Sequence, residues 1–86
     1  MKIWGGALFH NSRQVRGLVV APTKRRAVEL LGRYASRYYF DNHWCETGNS
    51  KEITLLSKGE GVWIYNSLQG SFSEFPPMRI VSPQAR

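Results

Sequence analysis

In the stretch Ile3-Trp4-Gly5-Gly6-Ala7-Leu8-Phe9-His10-Asn11-Ser12-Arg13-Gln14-Val15-Arg16-Gly17-Leu18-Val19-Val20-Ala21, two patterned runs flank a polar break. Ile3, Ala7 and Phe9 alternate with Trp4, Leu8 and His10, and after Asn11-Ser12-Arg13 the pattern resumes from Val15 to Ala21. A period of two belongs to a strand that shows its side chains to opposite faces in turn, so the chain is expected to open with an antiparallel hairpin. Gly5, Gly6 and Gly17 lower strand propensity and predict a bulge or a close approach, with packing of the Trp4 ring over a glycine as the expected cause.

Pro22-Thr23 changes the period, because Ala27, Leu30, Leu31, Tyr34 and Tyr38 recur at spacings of three and four. That spacing predicts a helix from about 24 to 32, with Thr23 as N-cap and Gly32 just past its end. Ser36 is placed to cap a second helix through Tyr39, Phe40 and Trp44 toward Cys45, meeting the first through Leu30, Leu31, Phe40 and Trp44. On this stripe Tyr34, Tyr38 and Trp44 face the core, which leaves Tyr39 free, with Phe40 either free beside it or in the helix contact. The cluster Glu46-Thr47-Gly48-Asn49-Ser50 reads as a turn, followed by a short amphipathic piece with Ile53, Leu55 and Leu56 that ends at Gly59 and Gly61. Val62-Trp63-Ile64-Tyr65 is β-branched and aromatic, hence a third strand.

The expected architecture is therefore α+β: a three-stranded antiparallel sheet, made of the N-terminal hairpin and a strand near 62–66, packed against two or three short helices. Residues 1–66 form one compact domain in this reading. Residues 67–86, where Ser, Gly and Pro dominate, form an extended tail that docks by Phe72 and Phe75.

An 86-residue chain with 42% hydrophobic residues is large enough for one small core and too short for a catalytic domain plus a regulatory one. Eleven aromatic residues supply apolar surface that a disordered chain lacks. Cys45 has no second cysteine to pair with, and no run approaches the roughly 18 apolar residues of a membrane span. With no long apolar segment after Lys2, the expected location is the cytoplasm, with no membrane partner.

Charge is unevenly placed. Residues 1–40 carry Lys2, Arg13, Arg16, Lys24, Arg25, Arg26, Arg33 and Arg37 against Glu29, a net of +7, whereas residues 41–86 carry a net of −1. A half-chain of this kind is the expected footprint of a surface that meets polyanions. The conflict is sharpest at Lys24-Arg25-Arg26, where three cations in the first turn of a helix oppose its dipole, each by roughly 0.3–1 kcal/mol. A bound phosphate or carboxylate would reverse that sign. In Arg33-Tyr34-Ala35-Ser36-Arg37-Tyr38-Tyr39-Phe40, guanidinium groups alternate with rings, a mixture suited to single-stranded or distorted nucleic acid, although most of these rings are also needed for the core.

No catalytic set is legible. His43 and Cys45 would have to share a cleft, with Asp41 or Glu46 as the orienting acid and no glycine loop for an oxyanion. His10, His43 and Cys45 do not make the four ligands of a zinc site, so neither metal nor cofactor is expected.

Val28-Glu29-Leu30-Leu31-Gly32 followed by Ser36-Arg37-Tyr38-Tyr39 resembles the helix-turn-helix of DNA-binding proteins over about 20 residues. Val28 stands where alanine is usual, and Arg33-Tyr34-Ala35 makes the turn about two residues longer than in that motif. The resemblance implies Arg37, Tyr39 and Asn42 as readers of bases, with Arg25, Arg26 and Arg33 on phosphates. Along the chain, Ile3-Trp4-Gly5-Gly6-Ala7-Leu8-Phe9, Gln14-Val15-Arg16, Ala27-Val28-Glu29-Leu30-Leu31-Gly32 and Trp44-Cys45-Glu46-Thr47-Gly48-Asn49 follow an order that resembles small uncharacterised accessory proteins of bacteriophages. It implies a protein made in a bacterial host during infection that works by stoichiometric binding to host machinery or to a defence complex such as CRISPR interference. It carries over no functional residue.

The first functional expectation is a non-catalytic basic module that engages nucleic acid or a nucleoprotein complex through Arg16, Lys24, Arg25, Arg26, Arg33, Arg37, Tyr39 and Asn42. The second is a phage-type, anti-defence (for example anti-CRISPR) inhibitor that binds a host defence protein through Tyr39, Trp63, Phe72 or Phe75. A third is a homodimer formed by the open edge of the sheet pairing with itself.

Overall fold

Alternation along the first 21 residues produces the hairpin; the later strands extend its two edges, and the helical elements pack on its two faces. The computed structural model describes residues 1–10, 12–66 and 70–74. In chain order the elements are β1 (Lys2–His10), β2 (Arg13–Ala21), α1 (Lys24–Leu31), α2 (Arg37–His43), β3 (Cys45–Glu46), α3 (Ser50–Ile53), β4 (Gly61–Asn66) and β5 (Ser71–Glu74), with 3₁₀ turns at Gly32–Tyr34 and Thr54–Lys58. Strands β1 and β2 pair from Lys2 opposite Ala21 to His10 opposite Arg13. All pairings are antiparallel, and the sheet has five strands in the order β3-β1-β2-β4-β5.

The α+β class is as read from the sequence, but the expected three strands are only the middle of the sheet. Strand β3 is two residues long, too short for any periodicity to register. Strand β5 is Ser-Phe-Ser-Glu, with a single apolar residue, and joins β4 through Tyr65 opposite Phe72, whose rings lie 5.2 Å apart. It falls inside the stretch expected as an extended tail; residues 67–69 and 75–86 of that stretch lie outside the described residues.

Trp4, Leu8, Val19, Ala21 and Val62 form one buried face with Ala27 and Leu31 of α1, Phe40 of α2 and Trp44 beyond it. The other face buries Ile3, Leu18 and Val20 under Leu55, from the 3₁₀ turn after α3, with Leu56, Trp63 and Phe72 at its margin. Burying a Leu, Val or Phe side chain contributes about 1.5–3 kcal/mol relative to exposure, and Phe40, Leu8, Leu18, Leu31, Leu55, Val19, Val20 and Val62 are all fully buried.

The caps are where local chemistry puts them. Thr23 Oγ1 accepts from Arg26 N–H at 3.1 Å, and Ser36 Oγ accepts from Tyr39 N–H at 3.1 Å. Gly32 follows α1 at φ +57°, ψ −127°, a conformation that a Cβ makes costly. Open space surrounds the position, so Gly32→Ala is expected to lower stability by backbone strain alone, by about 1–2 kcal/mol in a urea midpoint measurement.

Two expectations about rings are corrected. Tyr38, expected on the core-facing stripe, is 78% exposed, and Phe40 is not free but 1% exposed, packed with Leu31 and Trp44 as expected of the helix contact. The 3₁₀ turn at Gly32–Tyr34 breaks the helical phase, and Ser36 starts a new one in which Phe40 and Trp44, four apart, face the sheet and stack at 5.7 Å. Buried Ala35, just before the cap, and Phe40 hold the positions of a hydrophobic staple. The ring over the hairpin glycines is Trp44, not Trp4: a Cβ on Gly6 would overlap the indole. Among the described residues, no helix is long and apolar enough to cross a membrane.

Candidate functional site

Both helices on the first face begin with cations. In α1 the Thr23 cap leaves Lys24, Arg25 and Arg26 as the first turn, with no acid among them. The unfavourable dipole term is offset by one acid of the same helix and one from beyond it. Arg26 donates to Glu60 at 2.9 and 3.2 Å and to Glu29 at 3.2 Å. The Glu60 hydrogen bonds, with the one to Glu29, raise the Arg26 pKa above the ordinary guanidinium value.

Lys24 and Arg37, the first residues of α1 and α2, converge on one carboxylate. Lys24 Nζ stands 3.4 Å from Asp41 Oδ1, and Arg37 Nε donates to both Asp41 oxygens at 3.2 Å. Partial burial works to raise the Asp41 pKa, but the Arg37 hydrogen bond and the two positive charges outweigh it and hold the carboxyl below its usual range. Arg25 is exposed and has no ion pair among the described residues. This face therefore sets Lys24, Arg25, Arg26 and Arg37 against Asp41, Glu29 and Glu60, with the backbone of Arg33 in the connection between the helices; the Arg33 side chain lies outside what is described.

Arg16 is not part of this cluster. It sits on the opposite face of the sheet, where its Nε and Nη2 donate to Glu52 at 2.8 and 3.0 Å. The guanidinium covers Gly5, where a Cβ would overlap it, and Thr47 Oγ1 donates to the same Glu52 carboxylate at 2.6 Å. Glu52 is 6% exposed, so this pair fastens α3 to the sheet. The Arg16 hydrogen bond, followed by that from Thr47, overcomes burial and keeps the Glu52 pKa low.

The remaining expected site residues are scattered. Tyr39 is half-buried against the core, 4.5 Å from the His43 ring. Asn42 Nδ2 donates to the Tyr38 carbonyl at 2.8 Å, so its amide is engaged with its own helix. Trp63 and Phe72 are half-buried beside the second core, and Phe75 lies outside the described residues. Among the described residues, the exposed Tyr and Phe rings are Tyr38 and Phe9, neither of which the residue pattern singles out as a site. The Ser36 cap was the available signal for Tyr38, since counting from it puts Phe40 inward.

A shallow open cleft of about 380 Å³ is lined by Gly6, Ala7, Gln14, Val15, Arg16 and His43. Among the described residues, no three His, Cys, Asp or Glu side chains come close enough together to hold a metal ion. Comparison with protein-family models, with curated proteins and with solved structures finds no match.

Proposed function

We propose that the chain is a small, non-catalytic basic module that engages nucleic acid or a nucleoprotein complex through the outer face of α1 and α2. The observation that carries this reading is the convergence of Lys24, Arg25, Arg26 and Arg37 on the exposed starts of two helices over one face of the sheet. The triple change Lys24→Ala, Arg25→Ala, Arg26→Ala is expected to weaken binding to labelled DNA by about tenfold and to flatten its salt dependence, with the far-UV spectrum unchanged. Binding that ignores salt would sink the reading.

A second reading is a phage-type anti-defence inhibitor that acts in the cytoplasm of a bacterial host by occluding a protein partner. Exposed Phe9 and Tyr38, with half-buried Trp63 and Phe72, favour it as aromatic anchors. It expects a stoichiometric protein to be retained from nuclease-treated bacterial lysate, and retention that vanishes with the nucleic acid would dismiss it.

A further inference from the structure

Asp41 is held between two cations from different helices, and it is half-exposed. A carboxylate and a phosphodiester offer the same anionic oxygens, so a seat built for one fits the other. One residue after Arg37, and three before Asp41 on the same helix, stands Tyr38, 78% exposed. Residues three apart on a helix are surface neighbours, so an open aromatic ring borders the seat. Its carbonyl accepts from Asn42 Nδ2 at 2.8 Å, which ties this turn of α2 together beneath the ring. Such a ring beside an anion seat suits an unstacked base, whose neighbouring phosphate takes the cations.

We infer that Lys24 and Arg37 form a phosphate seat for single-stranded nucleic acid, that Asp41 occupies it as an internal competitor until a backbone phosphate displaces it, and that Tyr38 stacks on the adjoining base. This rests on the nucleic-acid reading above and adds the strand type, the contact point and a built-in brake. Because Asp41 already neutralises one of the two positive charges, the pair releases fewer counterions on binding than two free cations would.

The test is fluorescence anisotropy of a labelled oligothymidylate and of a duplex, at low and at physiological salt, with the wild-type chain and Asp41→Asn, Glu74→Gln and Tyr38→Ala. Glu74→Gln removes the same charge from β5, at the far edge of the sheet. Asp41→Asn is expected to tighten single-strand binding by about three- to fivefold and to steepen its salt dependence, with Glu74→Gln changing it by less than about twofold. Tyr38→Ala should loosen the single strand by about tenfold and the duplex by less than about twofold. If Asp41→Asn and Glu74→Gln act alike, or Tyr38→Ala weakens both strand types equally, the seat is overturned while the basic module stands. No binding by the wild-type chain at low salt overturns the nucleic-acid reading itself. Tightening by Asp41→Asn on phosphatidylglycerol vesicles but not on the oligonucleotide would assign the seat to lipid and overturn the inference.

Discussion

Trp44→Ala is expected to lower stability by about 3–5 kcal/mol, the largest effect of any single truncation in this fold. The indole is buried, stacks on Phe40 at 5.7 Å, and lies over two glycines of the hairpin, with its far edge 3.0 Å from where a Cβ on Gly17 would stand. Its Nε1 has no hydrogen-bond partner among the described residues, so truncation removes packing and no hydrogen bond. Small domains have total stabilities near the low end of about 5–15 kcal/mol, and Trp44→Leu is the graded variant if the alanine form fails to fold. The ring and the glycines are one device, which a double-mutant cycle detects. Gly6→Ala alone should cost about 1–3 kcal/mol, because its methyl overlaps the indole. Combined with Trp44→Leu the methyl finds room, so the double variant should be more stable than the sum of the two losses by at least about 1 kcal/mol in urea denaturation. Additivity within about 0.5 kcal/mol would mean that Gly6 is needed for its backbone and not for the ring above it.

That device also marks how far the sequence could be read. Three glycines in the two hairpin strands announce a close approach and all three meet one, Gly5 from Arg16 and Gly6 and Gly17 from Trp44, yet which ring arrives depends on where α2 ends and on the phase that brings Trp44 down. The caps at Thr23 and Ser36 and the stop at Gly32 were legible because each acts on backbone groups within four residues. The inward face of α2 is legible only in Phe40 and Trp44; a stripe continued from Tyr34 to Tyr38 crosses a 3₁₀ turn that does not conserve helical phase. Strands β3 and β5 escaped because two and four residues are too few to show a period. Charge shows the same divide. The +7 of the first 40 residues is a count any reader can make. Its compensation by Glu60 and Glu52 spans 34 and 36 residues, and no local pattern encodes such pairs. Arg37 with Asp41, four apart, and Arg26 with Glu29, three apart, each lie on one helix and are pairs visible from spacing. Arg16 was drawn into the basic face by that count, although its position opposite Ala7 already put it on the same sheet face as Ile3 and Leu18.

Arg16→Ala is expected to lower stability by about 2–3 kcal/mol at neutral pH, and the loss should depend on pH in a way that packing alone cannot reproduce. Breaking a fully buried ion pair costs about 3–5 kcal/mol; here the Arg16 side chain keeps 44% of its surface in water, and solvent screening brings the figure down. The asymmetry of the pair sets the sign. In the wild-type chain, Glu52 titrates below its unfolded value of about 4.3, so its contribution is complete above that value and is lost as pH falls through the lower folded one. Arg16 itself stays protonated throughout, since its pKa is raised further by the Glu52 hydrogen bond. In the variant, burial acts on Glu52 with only the Thr47 hydroxyl in opposition, and the folded value rises above the unfolded one. The penalty is then absent while Glu52 is protonated and grows as pH rises through the folded value. The gap between wild type and variant should therefore be small at acid pH, where Glu52 is protonated, and widen toward neutral pH, whereas in the Glu52→Gln background the effect of Arg16→Ala should be nearly flat. Glu52→Ala should cost less than Arg16→Ala, because a half-exposed guanidinium can turn to water and a buried carboxylate cannot. Equal gaps at acid and at neutral pH would mean that Arg16 holds α3 by lying over Gly5 and not by its charge.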